Sequence, residues 1–115
     1  MKTATHTKTF RGWLAGVKDE KTRAIIAQHI VRLQNGVGDV KPVGDGVREL
    51  RIDVGPGWRV YYIEVEGHVI VLLAGGTKRS QQADIAKAKQ MVKDMKRPAE
   101  TKSGAAKPAA KPRKK

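Results

Sequence analysis

Three features of the sequence predict an α+β domain with the element order β-α-α-β-β-β-α. Residues 46–78, GVRELRIDVGPGWRVYYIEVEGHVIVLLAGGTK, read as three consecutive antiparallel strands. Two apolar stripes at helical spacing precede them, and a third follows. In the first two strands Leu50, Ile52, Val54, Trp58, Val60 and Tyr62 share one parity, and Glu49, Arg51, Asp53, Arg59 and Tyr61 share the other. Strand side chains alternate faces, so one side of this hairpin is greasy and the other presents charge.

In chain order, residues 2–6 are Thr-rich and suit a short first strand. Phe10, Trp13, Leu14 and Val17 then fall at i, i+3, i+4 and i+7, the stripe of an amphipathic helix that Thr7 or Thr9 would cap. Asp19 is the cap expected for a second helix, in which Ile26, Ala27, Ile30, Val31 and Leu33 form the stripe and Asn35-Gly36 the stop. Two helices joined this tightly make an antiparallel hairpin, and the greasy sheet face is the partner for its apolar side. Residues 36–46, GVGDVKPVGDG, read as an irregular connection.

With Gly55-Pro56-Gly57 as a three-residue turn, Asp53 lies opposite Arg59 and Arg51 opposite Tyr61. A register shifted by one would put charges against the core, so parity selects this pairing. Glu66-Gly67 makes the second turn, and with a two-residue turn Arg59 faces Ala74. Val69, Ile70, Val71, Leu72 and Leu73 are apolar without a break, which suggests a strand covered on both faces. The chain leaves the sheet through Gly75-Gly76, bringing Thr77, Lys78 and Arg79 to the same end as Arg59. Ser80 caps the last helix, whose buried stripe is Ile85, Ala88, Val92 and Met95.

The formal net charge is +13. Residues 96–115 carry eight Lys/Arg, one Glu and three of the five prolines without apolar periodicity, and read as a disordered basic tail. Sixteen basic against ten acidic residues remain in 1–95, so the predicted domain is itself basic at +6 and suits an anionic partner such as nucleic acid, ribosome or acidic protein. The tail would grip phosphates or serve only solubility. No cysteine is present, which removes disulfide and thiolate chemistry, and His6, His29 and His68 have no ligand spacing, so no metal or cofactor is expected. The sequence lacks a transmembrane-length apolar run and the opening MKTATHTK lacks a signal-peptide core; a cytoplasmic location and no membrane partner are expected.

On the charged face Arg51, Arg59 and Tyr61, with Lys78 and Arg79 from the next loop, have the donors to hold a phosphate diester and stabilise charge developing on phosphorus. Arg51 and Arg59 paired with Glu49 and Asp53 on an ordinary solvated sheet would explain the same residues. Gly75-Gly76-Thr77-Lys78 lacks the spacing of a nucleotide-binding P-loop, which argues against an ATPase. The helix starting at Ser80 nonetheless aims free N–H groups at that region. RNA cleavage also needs a proton acceptor and a proton donor. Glu49 and Asp53 are candidate bases, Tyr61 a candidate acid or stacking surface, and Lys78 suits either role.

The segment GDVKPVGDGVRELRIDVGPGWRVYY, followed by VLLAGGTKRSQQADIAKA and preceded by F-x-x-W-L, resembles the RelE/ParE superfamily of toxins from toxin–antitoxin modules. The closer match is the HigB-like branch of addiction module killer proteins, and it covers about residues 5–95. The resemblance implies a helical hairpin and C-terminal helix packed on a small curved antiparallel sheet. It implies metal-independent cleavage of mRNA on the translating ribosome, silenced by a cognate helix-turn-helix antitoxin through which a hetero-oligomer would bind operator DNA. By position Arg59, Arg51 and Lys78 or Arg79 match its basic residues. The catalytic candidates are then Arg59, Arg51 and Lys78, the RNA-binding candidates Arg79, Tyr61 and Arg48, and the candidate acid or base Glu49 or Asp84. The chain has Asp84-Ile85 where RelE has its C-terminal tyrosine, and the paired histidines of some HigB toxins are not matched. A ParE-like gyrase poison on the same fold, or a non-catalytic binder of antitoxin or RNA, are the alternatives. ParE chains end in a segment resembling L-R-V-L-H-G-A-R, where this chain has L-L-A-G-G-T-K-R-S-Q.

Overall fold

The computed structural model describes residues 1–101. Their elements run β1 (Thr3–His6), α1 (Lys8–Ala15), α2 (Glu20–Gln34), β2 (Asp39–Gly44), β3 (Val47–Ile52), β4 (Trp58–Val65), β5 (Val69–Thr77), a 3₁₀ turn (Lys78–Ser80) and α3 (Gln81–Thr101). The fold is α+β: a curved five-stranded sheet in the order β1-β5-β4-β3-β2, parallel at β1–β5 and antiparallel elsewhere. The helical hairpin carries the chain from the β1 edge to the β2 edge, and the strands return as a meander. Helix α3 runs past Lys96 to Thr101; residues 102–115, the rest of the expected basic tail, lie outside the described residues.

Thr7 joins the first strand to the first helix with one side chain. Its hydroxyl oxygen accepts from the Phe10 N–H at 3.1 Å and its O–H donates to the Leu73 carbonyl at 2.9 Å. Asp19 caps α2 by accepting from the Lys21 N–H and the Thr22 hydroxyl. Phe10, Val17, Ile26, Ile30 and Leu33 pack on Leu50, Ile52, Val60, Tyr62, Ile70 and Leu72, so the greasy sheet face does receive the hairpin. Ala27 and Val31 instead face solvent, because the hairpin covers the sheet with one narrow side of α2 only.

Four details of the sheet differ from the sequence expectation. Residues 36–46 are not irregular throughout: β2 pairs with β3 as an edge strand, where Pro42 and a bulge beside it are tolerated. The β3–β4 turn takes residues 53–57, because Val54 N–H bonds the Ile52 carbonyl and Gly57 N–H the Val54 carbonyl, with Gly55 and Gly57 at positive φ. Arg51 therefore faces Arg59 and Glu49 faces Tyr61; parity is kept, but Val54 leaves the core at 39% exposure.

The β4–β5 turn holds residues 66–68, pairing Val65 with Val69, and a bulge near Tyr61/Tyr62 adds one more step, so Arg59 faces Gly76 rather than Ala74. That bulge turns both Leu73 and Ala74 toward α3. The largest difference is that the charged face is not open, because α3 folds back across it. Val47, Tyr61, Leu73 and Ala74 form a second core with Ala88 and Val92 of α3, against which Ile85 also packs; Met95 is largely exposed.

Thr7→Val keeps the shape of the side chain but removes a helix cap and a bond to the bulge. Unfolding in denaturant should show a loss of about 1–2 kcal/mol, and a melting temperature unchanged from wild type would contradict the role assigned to Thr7.

Candidate functional site

Glu49 is brought to complete burial by the inward parity of β3 and the cover of α3. Its Oε2 accepts from the Tyr61 hydroxyl at 3.2 Å and from the Gln81 amide at 2.7 Å, while Oε1 has no partner. Burial first, then the charge of Glu49 and the hydrogen bond to it, and then Asp84, push the Tyr61 phenol far above its usual pKa, with Arg59 opposing weakly. Tyr61 is thus a fixed donor at neutral pH.

Arg59 lies beside this network, only 6% exposed. Nη1 donates to the Trp58 carbonyl at 3.2 Å, Nε has no partner, and no ion pair is made to it among the described residues. A buried guanidinium without an ion pair is costly to desolvate, and an anion at its outer nitrogens would offset that charge, although it would not reach Nε. Those nitrogens sit near Gly57: a Cβ there would be 3.5 Å from Nη1 and 3.5 Å from the Lys78 Cβ. The Lys78 N–H bonds the Gly57 carbonyl at 2.8 Å, which holds the Lys78–Ser80 turn against the end of the sheet.

Opposite Arg59, Gly76 leaves room for a carboxylate. A Cβ at Gly76 would lie 1.8 Å from Asp84 Oδ2 and 2.8 Å from Ser80 Oγ, so α3 sets the Asp84 carboxylate directly on the bare backbone. The Ser80 hydroxyl donates to Asp84 Oδ2 at 2.5 Å and accepts from the Thr77 N–H at 3.3 Å. Gly75 serves the other face, where a Cβ would meet the Trp13 ring at 2.4 Å. The two glycines therefore let a helix approach closely on each side of β5.

The structure brings together Arg59, Lys78, Asp84, Glu49 and Tyr61, with Arg79 on the exposed turn. Tyr61 is fully buried and so is no stacking surface, because α3 covers it. Glu49 is likewise shut from solvent. Arg51 shares the face of Arg59 but pairs with Asp39 at 3.3 Å on the surface, rather than with Glu49 or Asp53. Arg48 lies on the opposite face, 3.9 Å from Glu64, which separates it from the site by the thickness of the sheet. Asp53 is exposed in the turn, and His29 bonds the Ile25 carbonyl within α2. Among the described residues no three metal-ligating side chains cluster. Gln81, Ser80 and Gly76 were not singled out as site residues from the sequence; their signal was the run G-G-x-K-x-S-Q, whose meaning depends on how α3 folds back.

A family model described as "Phage derived protein Gp49-like (DUF891)" matches residues 10–96, from α1 into α3. The chain belongs to this Gp49-like family. Gp49-like proteins form a family of the toxin–antitoxin, addiction-module type. An uncharacterized protein of Haemophilus influenzae (strain ATCC 51907 / DSM 11121 / KW20 / Rd) is 44% identical over 90 residues, which is 77% of this chain and 91% of the relative. Among the described residues no helix is long and apolar enough to cross a membrane.

The raised pKa of Tyr61, and of Tyr62 through burial, carries a pH signature. Both phenols stay protonated in the fold after the unfolded chain begins to ionise near pH 10, so stability present below that pH falls as the pH rises past it. Denaturant unfolding from pH 8 to 11 should show this decline, shallower in Tyr61→Phe. An identical slope in that variant would remove Tyr61 as a source.

Proposed function

We propose that this Gp49-like protein is the toxin of a toxin–antitoxin module and cleaves mRNA on the translating ribosome, as the RelE/ParE superfamily and its HigB-like branch would imply. A cognate helix-turn-helix antitoxin would neutralise it. The observation that carries the reading is Arg59: a buried guanidinium that lacks an ion pair among the described residues, at a solvent-facing end of the sheet, with Lys78 beside it and a carboxylate across the strand.

In this reading Arg59 and Lys78 hold the scissile phosphate diester. Asp84 accepts the proton of the 2′-hydroxyl, whose oxygen attacks phosphorus and yields a 2′,3′-cyclic phosphate. The 5′-oxygen leaves and takes a proton from the Lys78 ammonium. Arg59 stabilises the added negative charge on the phosphoryl oxygens, a role in which one donor contributes about 3–4 kcal/mol. Glu49 and Tyr61 act behind it, fixing the first turn of α3 through Gln81. Arg79, exposed on the 3₁₀ turn, extends the cationic surface toward flanking phosphates.

Arg59→Ala should lower cleavage by roughly 10²–10³-fold and relieve growth arrest at equal expression, with the fold retained by circular dichroism. Asp84→Asn should lower cleavage while leaving RNA affinity nearly unchanged. Message integrity and plasmid supercoiling, followed after induction, decide the target: intact messages with trapped gyrase complexes would sink the ribonuclease reading.

A further inference from the structure

On the opposite face of the sheet, at the same end, lies a groove of about 600 Å³ walled by Trp13 and Trp58 and floored by Gly12, Gly16 and Val17 of the α1–α2 corner. We propose that this groove is a nucleobase pocket, which receives one base of a single-stranded RNA whose backbone lies at Arg59 and Lys78. The proposal rests on the ribonuclease reading of that site.

The first support is continuity. Trp58 and Arg59 are adjacent residues at the start of β4, so their side chains flank the same strand end from opposite faces, and Arg59 Nη1 bonds the Trp58 carbonyl. Between the two faces lies only the 53–57 turn, where Gly55 and Gly57 carry no side chain; a Cβ at Gly55 would stand 3.7 Å from the Trp58 indole nitrogen. Asp53, Val54 and Pro56 also stand on this turn, so the path from Arg59 to the groove runs over the bare backbone of Gly55 and Gly57.

The second support is the chemistry of the walls. Trp13 and Trp58 are both half-buried and meet edge to face at 6.1 Å between ring centroids, which makes a corner of two aromatic surfaces open to solvent. Every base has a π-face, and stacking on indole is the sequence-tolerant way to hold one. The volume falls in the range of small-ligand sites. Lys18 stands on the rim, and both oxygens of the neighbouring Asp19 are engaged by the Lys21 N–H and the Thr22 hydroxyl.

The third support is Gly12. It lies inside α1, where glycine is among the poorest helix formers. A Cβ there would meet nothing within 4 Å, and its backbone is not in the left-handed region, so neither packing nor conformation asks for glycine. What its missing side chain leaves is the open floor of the groove.

Both tryptophans of the chain wall this groove, so indole emission reports on it directly. The full chain is titrated with a 2′-O-methylated hexaribonucleotide, which cannot be cleaved, and with an abasic hexamer of the same sugars and phosphates. Wild type should bind both, with emission quenched by the base-bearing probe alone. Gly12→Leu should fold, lose the quenching and bind the base-bearing hexamer about tenfold more weakly, with the abasic probe unaffected; Trp58→Leu should lose the same preference for bases. Arg59→Ala should weaken both probes. Arg59-dependent binding without quenching, and unchanged in Gly12→Leu, would overturn the pocket and leave the phosphate site standing. No binding of either probe by wild type would overturn the pocket, while the ribonuclease reading stands or falls by message integrity after induction. Quenching by the antitoxin but not by RNA would give the groove to a protein partner and overturn the proposal.

Discussion

Glu49 places a carboxylate under α3 at zero solvent exposure, and its hydrogen bonds to Tyr61 and Gln81 tie β3, β4 and the first turn of the helix to one point. The apolar part of the α3 contact rests on Ala88 and Val92, with Ile85 and Met91 beside them. Apolar packing is non-directional, whereas a buried carboxylate with directional donors penalises any shift that breaks them. The position of α3, and everything its first turn carries, therefore depends on this contact.

The position matters because Asp84 and Ser80 ride on that turn. Gly76 has no Cβ, so the Asp84 carboxylate reaches the strand directly across from Arg59. The three-residue turn at 66–68 and the bulge at Leu73 each shift the β5 register by one, and together they put Gly76, instead of Ala74, in that place. Thr7 bonds the bulged carbonyl from the other side of the sheet. A cap of the first helix, a strand irregularity and a glycine thus combine to set two charged groups near one another without joining them in an ion pair.

Membership in the Gp49-like family and the geometry at Arg59 support each other without being redundant. The family places the chain in the toxin–antitoxin class. The unspent guanidinium, Lys78 and the carboxylate across the strand are the local reason to think of a phosphate diester as substrate. The sheet end that carries them has a cationic face on one side and an aromatic groove on the other, which suits a ligand with a charged backbone and flat bases.

Period and capping chemistry were legible in the sequence because they are local. The stripe of α1, the Thr7 and Asp19 caps, the stop at Asn35 and the greasy parity of Leu50, Ile52, Val60 and Tyr62 all follow from spacing that a few residues settle. What covers the other parity was not legible. Tyr61 and Glu49 have the composition of a solvated face, and only the return of α3 across the sheet buries them. The same holds for the turn lengths, the bulge and the β2 edge, where several registers preserve parity equally and long-range hydrogen bonds choose among them. Tertiary structure alone therefore moved Arg48 away from the site, closed Tyr61 and Glu49 off from solvent, and brought Asp84 to Arg59.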